Sequence, residues 1–174
     1  DFRSLALDEK AGTVWAGSGR DGVVKTTDGG ATWTAGTGFL SLEVTTVLVD
    51  PASPKRLFVG TTQGGVHLSE DGGATWTLSN EGLTNRAIHS LAADPAAPGT
   101  FLAGTREGAF RSTDGGRNWT HVLKGGCEPE VHHLRYAPSD PKRVYAHSGR
   151  DFCQVARSDD GGLTWRDLKA PRDA

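Results

Sequence analysis

Six basic side chains fall at matching places in this chain and suit the capture of an anion: Arg3, Arg20, His89, Arg106, His132 and Arg150. Arg3, His89 and His132 stand at the start of strand-like runs. Arg20, Arg106 and Arg150 lie in turns, each followed by an acid, Asp21, Glu107 and Asp151. A guanidinium offers a planar fork that matches carboxylate or phosphate. The alternative is a solvated turn in which each arginine pairs with the neighbouring acid. A second set of groups is acidic. Asp28, Asp71, Asp114 and Asp160 sit in the phrases TTDGGATW, SEDGGATW, STDGGRNW and SDDGGLTW, spaced by 43, 43 and 46 residues. Such carboxylates invite a catalytic reading, but a catalytic site needs one asymmetric constellation. Equivalent copies of one aspartate point to a turn device. The Asp accepts backbone N–H groups, the glycines supply positive φ, the preceding Ser or Thr adds a bond, and the Trp covers the hairpin.

The elements that must position these groups are short strands. A fixed period between 20 and 50 residues signals a repeat architecture. Each period holds four strand-like runs separated by turns, and long helical periodicity is absent. The third repeat shows it cleanly: Ala87–Ala92, a turn at Asp94–Pro98, Phe101–Thr105, a turn at Arg106–Gly108, Ala109–Ser112, the DGG turn, and Asn118–Leu123. First strands elsewhere are Phe2–Leu7, Val44–Val49 and Val131–Tyr136. Second strands are Val14–Ser18, Leu57–Thr61 and Val144–Ser148, and third strands are Gly22–Thr26, Gly65–Ser69 and Gln154–Ser158. Four strands per unit of this length is the pattern of propeller blades, which bury their faces only by stacking on neighbours. The expected fold is therefore an all-β propeller of four-stranded antiparallel blades, at about 1–40, 41–83, 84–130 and 131–174.

The repeated phrase resembles the Asp-box (BNR) repeat of sialidases, sortilin-type receptors, family-74 glycoside hydrolases and photosystem II assembly factor propellers. The resemblance spans all four units through Asp28 and Trp33, Asp71 and Trp76, Asp114 and Trp119, and Asp160 and Trp165. It implies that the boxes lie on the hairpin between third and fourth strands, on the rim opposite the active face. The six basic residues named above map to that opposite face. So do Glu43, Asn80, Glu81, Asn85, Arg86, Glu128 and Glu130 in the loops leading into the blades.

Sialidase chemistry, as the resemblance implies it, needs three arginines, a Tyr–Glu nucleophile pair and an acidic Asp. The two tyrosines, Tyr136 and Tyr145, fall away from the channel mouth, and no Arg-Ile-Pro segment is present. A family-74 glycosidase needs two carboxylates flanking the scissile bond, and nothing selects a pair among Asp21, Glu43, Glu81, Glu107 and Asp151. Four of the five tryptophans are box residues, and the fifth, Trp15, lies within a second strand. The expected function is a non-catalytic scaffold that binds a protein, peptide or acidic ligand opposite the boxes. Phe39, Leu40, Leu83 and Phe152 would serve as apolar anchors. The alternative is a segment of a carbohydrate-active enzyme, a glycoside hydrolase. A catalytic segment should show a deep cleft with a high-pKa carboxylate, a scaffold a shallow charged annulus.

Nineteen Lys+Arg against 21 Asp+Glu argues against general nucleic-acid binding. No apolar run is long enough to span a membrane. Gly17–Gly22 fits a dinucleotide fingerprint but leads into a hairpin rather than a helix, so no cofactor is expected. Asn118-Trp119-Thr120 fits a glycosylation sequon inside a box. Cys127 and Cys153 flank the same end of the fourth blade and permit one disulfide. His132 and His133, adjacent in a strand, point to opposite faces and do not share a metal; no metal site is expected. Four whole blades imply a part of a longer propeller, with an eight-bladed homodimer or a four-bladed ring as alternatives. An extracytoplasmic setting accords with the resemblance and with a disulfide.

Overall fold

A computed structural model describes residues 2–19, 21–36, 43–123, 130–148 and 155–168. They form four antiparallel four-stranded sheets, each a meander of consecutive strands. The first is β1 to β4 (Phe2–Asp8, Thr13–Ser18, Gly22–Thr26, Thr34–Ala35) and the second β5 to β8 (Val44–Val49, Leu57–Thr61, Val66–Ser69, Thr77–Leu78). The third is β9 to β12 (Ile88–Ala93, Phe101–Thr105, Gly108–Ser112, Thr120–Leu123), the fourth β13 to β16 (His133–Ala137, Asp140–His147, Val155–Ser158, Arg166–Leu168). Each is a propeller blade, and no helix is present among the described residues.

Several boundaries shift by one or two residues, and two in the fourth blade shift for identifiable reasons. The fourth blade's second strand reaches back to Asp140 and runs through Pro141. Its ladder to β15 begins only at Val144, so the missing proline N–H costs no bond there. The blade's first strand begins at His133, because Val131 N–H turns to Thr105 O (2.8 Å) while His132 N–H bonds His147 O (2.8 Å). Gly17 and Ser18 pair with Val23 and Gly22 across β2 and β3.

The blades cluster into two compact units. Unit 1 holds Asp1–Asn80 with Arg86–Ile88, and unit 2 holds Glu81–Asn85 with His89–Ala174. In unit 1, Trp15, Val23, Val44, Val47, Leu57 and Val59 are buried together between the sheets. In unit 2 the same layer is built from Leu102, Ala109, Val131, Leu134, Val144 and Ala146. Each large apolar side chain so buried contributes about 1.5–3 kcal/mol, and neither sheet of a unit could bury these faces alone. At equivalent places on two first strands, Val47 is 5% exposed whereas Leu5 is 69% exposed. The first blade thus leaves an apolar strand open where the second has a neighbour.

Candidate functional site

Each box aspartate is held within its own turn, with one partner that the sequence reading did not name. Asp71 accepts from Ser69 Oγ (2.8 Å) and from the N–H groups of Ala74 and Thr75 (both 2.9 Å). Its second oxygen takes Thr75 Oγ1 at 2.5 Å. Asp160 repeats this with Ser158, Leu163 and Thr164. Asp28 is held by Thr26 and by both the N–H and the hydroxyl of Thr32. At Asp114 the seventh box position is Asn118, whose Nδ2 donates to Oδ2 at 2.7 Å, so the sequon amide is engaged in the turn. The recurrent Thr, Thr, Asn, Thr at that position was the available signal. The Ser or Thr hydroxyl that opens each box also receives the second glycine's N–H, as at Gly73 N to Ser69 Oγ (2.8 Å). That glycine has φ of +81° and lies against Trp15, where a Cβ would meet the ring at 2.7 Å.

These hydrogen bonds favour the ionised carboxyls. Asp71, Asp114 and Asp160 are each lowered to about 2, and Asp28 further. For Asp71 and Asp114 the seventh-position side chain is the largest cause; at Asp160 partial burial is the largest single influence and raises the value, and the bonds from Thr164, Ser158 and Leu163 together outweigh it. A carboxylate held charged in this way is a fold device and not a proton donor.

Opposite the boxes, each unit builds a charged corner where one blade's first strand meets the segment leading into the next. In unit 1, Arg3 forms an ion pair with Glu43, both side chains near half exposed, and its guanidinium lies against Gly19 in the β2–β3 turn. In unit 2, His89 takes the place of Arg3 and Glu130 the place of Glu43. The Val131 N–H to Thr105 O bond pins the incoming segment to the end of β10. Glu130 Oε1 then lies 3.0 Å from His89 Nε2 and 3.7 Å from Arg106 Nε, and Oε2 lies 3.7 Å from His132 Nε2. The two imidazoles face each other at 4.8 Å between centroids. Burial, then the charge of His132, lowers the proton affinity of His89 against the opposing pull of Glu130.

Of the six expected ligand residues, the structure brings His89, Arg106 and His132 together in unit 2, with Glu130 between them, and places Arg3 in unit 1. Arg20 and Arg150 lie outside the described residues, as do Cys127, Cys153, Phe39, Leu40 and Phe152. Arg106 turns to Glu130 rather than to its sequence neighbour. Glu107 instead accepts from Thr84 Oγ1 (2.8 Å) and Asn85 Nδ2 (3.4 Å), tying the leading segment to the turn. Asn80 is also structural: its Oδ1 accepts from Val66 N–H and its Nδ2 donates to Gly64 O. His133 points away from His132 and stacks on its cross-strand partner His147. Tyr136 lies at the box end, 3.5 Å from Gly161 O, with its hydroxyl pKa pushed up by burial and by Asp94.

Two hollows of unit 2 lie at the box end. One of about 410 Å³ is lined by Asp94, Arg111, Lys142, Asp159 and Asp160. Another lies by Asp159, where Arg143, Arg157 and Arg166 converge on a single carboxylate. Every tryptophan is now located: four belong to boxes, and Trp15 is 4% exposed in the core.

Comparisons with known proteins agree with this architecture. Residues 110–121 match the BNR/Asp-box repeat. No curated protein sequence matches the chain. Among solved structures, an ancestral GH74 enzyme aligns with TM-score 0.84 and 27% identity over 99% of this chain and 24% of its own. The GH74 xyloglucanase of Xanthomonas campestris aligns with TM-score 0.74 and 20% identity over 95% of this chain and 29% of its own. YCF48 bound to a D1 peptide aligns with TM-score 0.68 and 18% identity, over 95% of this chain and 54% of its own. The chain therefore spans about a quarter of the first of these proteins and about half of the last. It has a propeller fold like that of the GH74 enzymes and of YCF48.

Proposed function

We propose that this chain is a non-catalytic Asp-box propeller segment that binds an acidic peptide or protein surface at the blade ends opposite the boxes. The observation that carries the reading is the unit 2 corner, where His89, Arg106 and His132 converge from two blades around one carboxylate. A general acid for glycoside cleavage is best served by a carboxyl in apolar surroundings or beside a second carboxylate. Glu130 has basic neighbours instead. Arg106 is 68% exposed, so its guanidinium is free to exchange Glu130 for a partner's carboxylate, and Arg3 offers the same exchange in unit 1. Tryptophan platforms for sugar rings are lacking at this end. An extracytoplasmic setting and completion of the ring by further blades or a second copy belong to the same proposal.

A second reading has one observation in its favour. The ancestral GH74 enzyme shares more identity and a closer fold with this chain than YCF48 does. Under that reading the chain is part of a glycoside hydrolase.

Titration of the full chain with fluorescent acidic peptides, and separately with xyloglucan oligosaccharides, tests the two. The expected result is peptide binding that falls steeply with salt and is lost in Arg3→Ala/Arg106→Ala, with no sugar binding. Oligosaccharide binding or cleavage without peptide binding would replace the scaffold reading by the enzyme one.

A further inference from the structure

We infer that His89, Glu130 and His132 form a binding site for a divalent transition metal of the zinc type, with a fourth position open to solvent. Each residue offers one ligand atom, and these atoms lie within 4.8 Å of one another. In a tetrahedral zinc site with metal–ligand bonds of about 2.0–2.1 Å, ligand atoms stand about 3.3 Å apart. His89 Nε2 lies 3.0 Å from Glu130 Oε1 and His132 Nε2 lies 3.7 Å from Glu130 Oε2, near that value though on different oxygens, so taking up an ion requires the side chains to draw together from their present spread of up to 4.8 Å. Two imidazoles and a carboxylate are also a donor set that suits zinc.

Two further observations point to an ion. His89 Nε2 is buried and faces Glu130 without the alignment of a hydrogen bond, so the atom has a nearby negative charge but no donor geometry to use on it. A metal between them would satisfy both. The two imidazole centroids also lie only 4.8 Å apart, close enough for both rings to approach one ion. Arg106 is the competing cation, at 3.7 Å from Glu130. Its exposed side chain retracts into water at little expense, whereas a buried one would hold the position.

The architecture explains why the three meet. His89 on β9 and His132 immediately before β13 are one repeat apart at equivalent positions, and Glu130 lies two residues before His132. His133, one residue on, faces the other way and pairs with His147. The fourth position would hold water or a ligand's carboxylate. The inference does not depend on peptide binding, and its test uses no peptide.

The full chain, stripped with chelator, is titrated with Zn²⁺ by calorimetry and with Co²⁺ by visible absorption. The expected result is one equivalent per chain, with the intense ligand-field bands of four-coordinate Co²⁺. His89→Ala and His132→Ala should each weaken binding by more than the roughly 10–100-fold cost of losing an outer-shell partner. Glu130→Gln, which preserves shape, should weaken it too, while His133→Ala/His147→Ala leaves it unchanged. Arg106→Ala should tighten it. Metal-free melting curves establish that each variant is folded. Binding that survives His89→Ala and His132→Ala, or that is lost with His133 and His147, would overturn the assignment. So would the absence of a stoichiometric equivalent in the folded wild-type chain.

Discussion

Arg3 with Glu43, and His89 with Glu130, are the same structural idea in two units. In each, a basic residue on the first strand of one blade meets an acid on the segment leading into the next. At the box end the units are near copies, because Asp71 and Asp160 hold the same set of partners. At the opposite end they part. Unit 1 has an arginine, which cannot ligate a metal, and Thr45, whose hydroxyl is committed to Ile88 O at 2.6 Å. Unit 2 has two imidazoles and an arginine on one carboxylate. The box end is bound to keep its chemistry, since its groups hold the hairpin together. The other end is free to change, since its strands are already fixed by packing and ladder bonds.

The largest effects should therefore come from the box end, in both units alike. Gly73→Ala places a Cβ at 2.7 Å from Trp15 at φ +81°, and Gly162→Ala places one at 2.9 Å from Leu102 at φ +87°. Strain and overpacking together should cost about 3 kcal/mol in each. Gly30→Ala meets the same backbone constraint at φ +96° with open space around it, and should cost only about 1–2 kcal/mol. Urea denaturation of the three variants separates the two contributions. Equal losses at Gly30 and Gly73 would mean that packing against Trp15 adds nothing.

Next come the hydroxyls. Ser69→Ala and Ser158→Ala each leave the buried N–H of a glycine, Gly73 or Gly162, without its acceptor at 2.8 Å. Each should cost about 1–3 kcal/mol, again by urea denaturation. A loss in only one unit would break the equivalence of the boxes.

Acid should act on both units through the same carboxyls. Their folded pKa values of about 2 for Asp71, Asp114 and Asp160 lie below the ordinary value of 3.8. A depressed carboxyl contributes stability that is complete above its unfolded pKa and lost as pH falls through the folded one. Melting temperature should thus hold steady down to about pH 4 and drop towards pH 2. Asp71→Asn should flatten that drop.

The fold was legible because each blade is local. Turn chemistry, alternating strands and the 43-residue spacing all lie within one repeat, and each sheet is a meander of neighbours. The corner was legible only in part. His89 and His132 stood out as aligned residues, and the period places such residues on adjacent blades. Nothing in one repeat shows that Glu130 would reach both, because that depends on the Val131 bond to Thr105 from another blade. The Arg106 and Glu107 neighbours looked like a pair for the opposite reason: adjacency in the chain is visible, and the competing partners Thr84, Asn85 and Glu130 come from elsewhere.

The smallest effect on stability should come from making one corner into the other. Arg3→His with Thr45→His supplies unit 1 with two imidazoles flanking Glu43, the arrangement already present around Glu130. The change removes an exposed ion pair, which is worth about 0–1 kcal/mol, and one hydrogen bond from Thr45 to Ile88 O, worth about 1 kcal/mol. The folded state should persist. If the first-strand position and the acid of the leading segment are what define the metal site, this variant should take up a second equivalent of Co²⁺ by the same spectroscopic titration. The converse change, His89→Arg, should retain an ion pair with Glu130 and abolish the first equivalent. A gain in unit 1 without a loss in unit 2 would mean that the imidazoles bind metal wherever they are placed, and that the corner geometry contributes little. Gain and loss together would locate the difference between the units in the side chains at two strand positions, on a backbone they share.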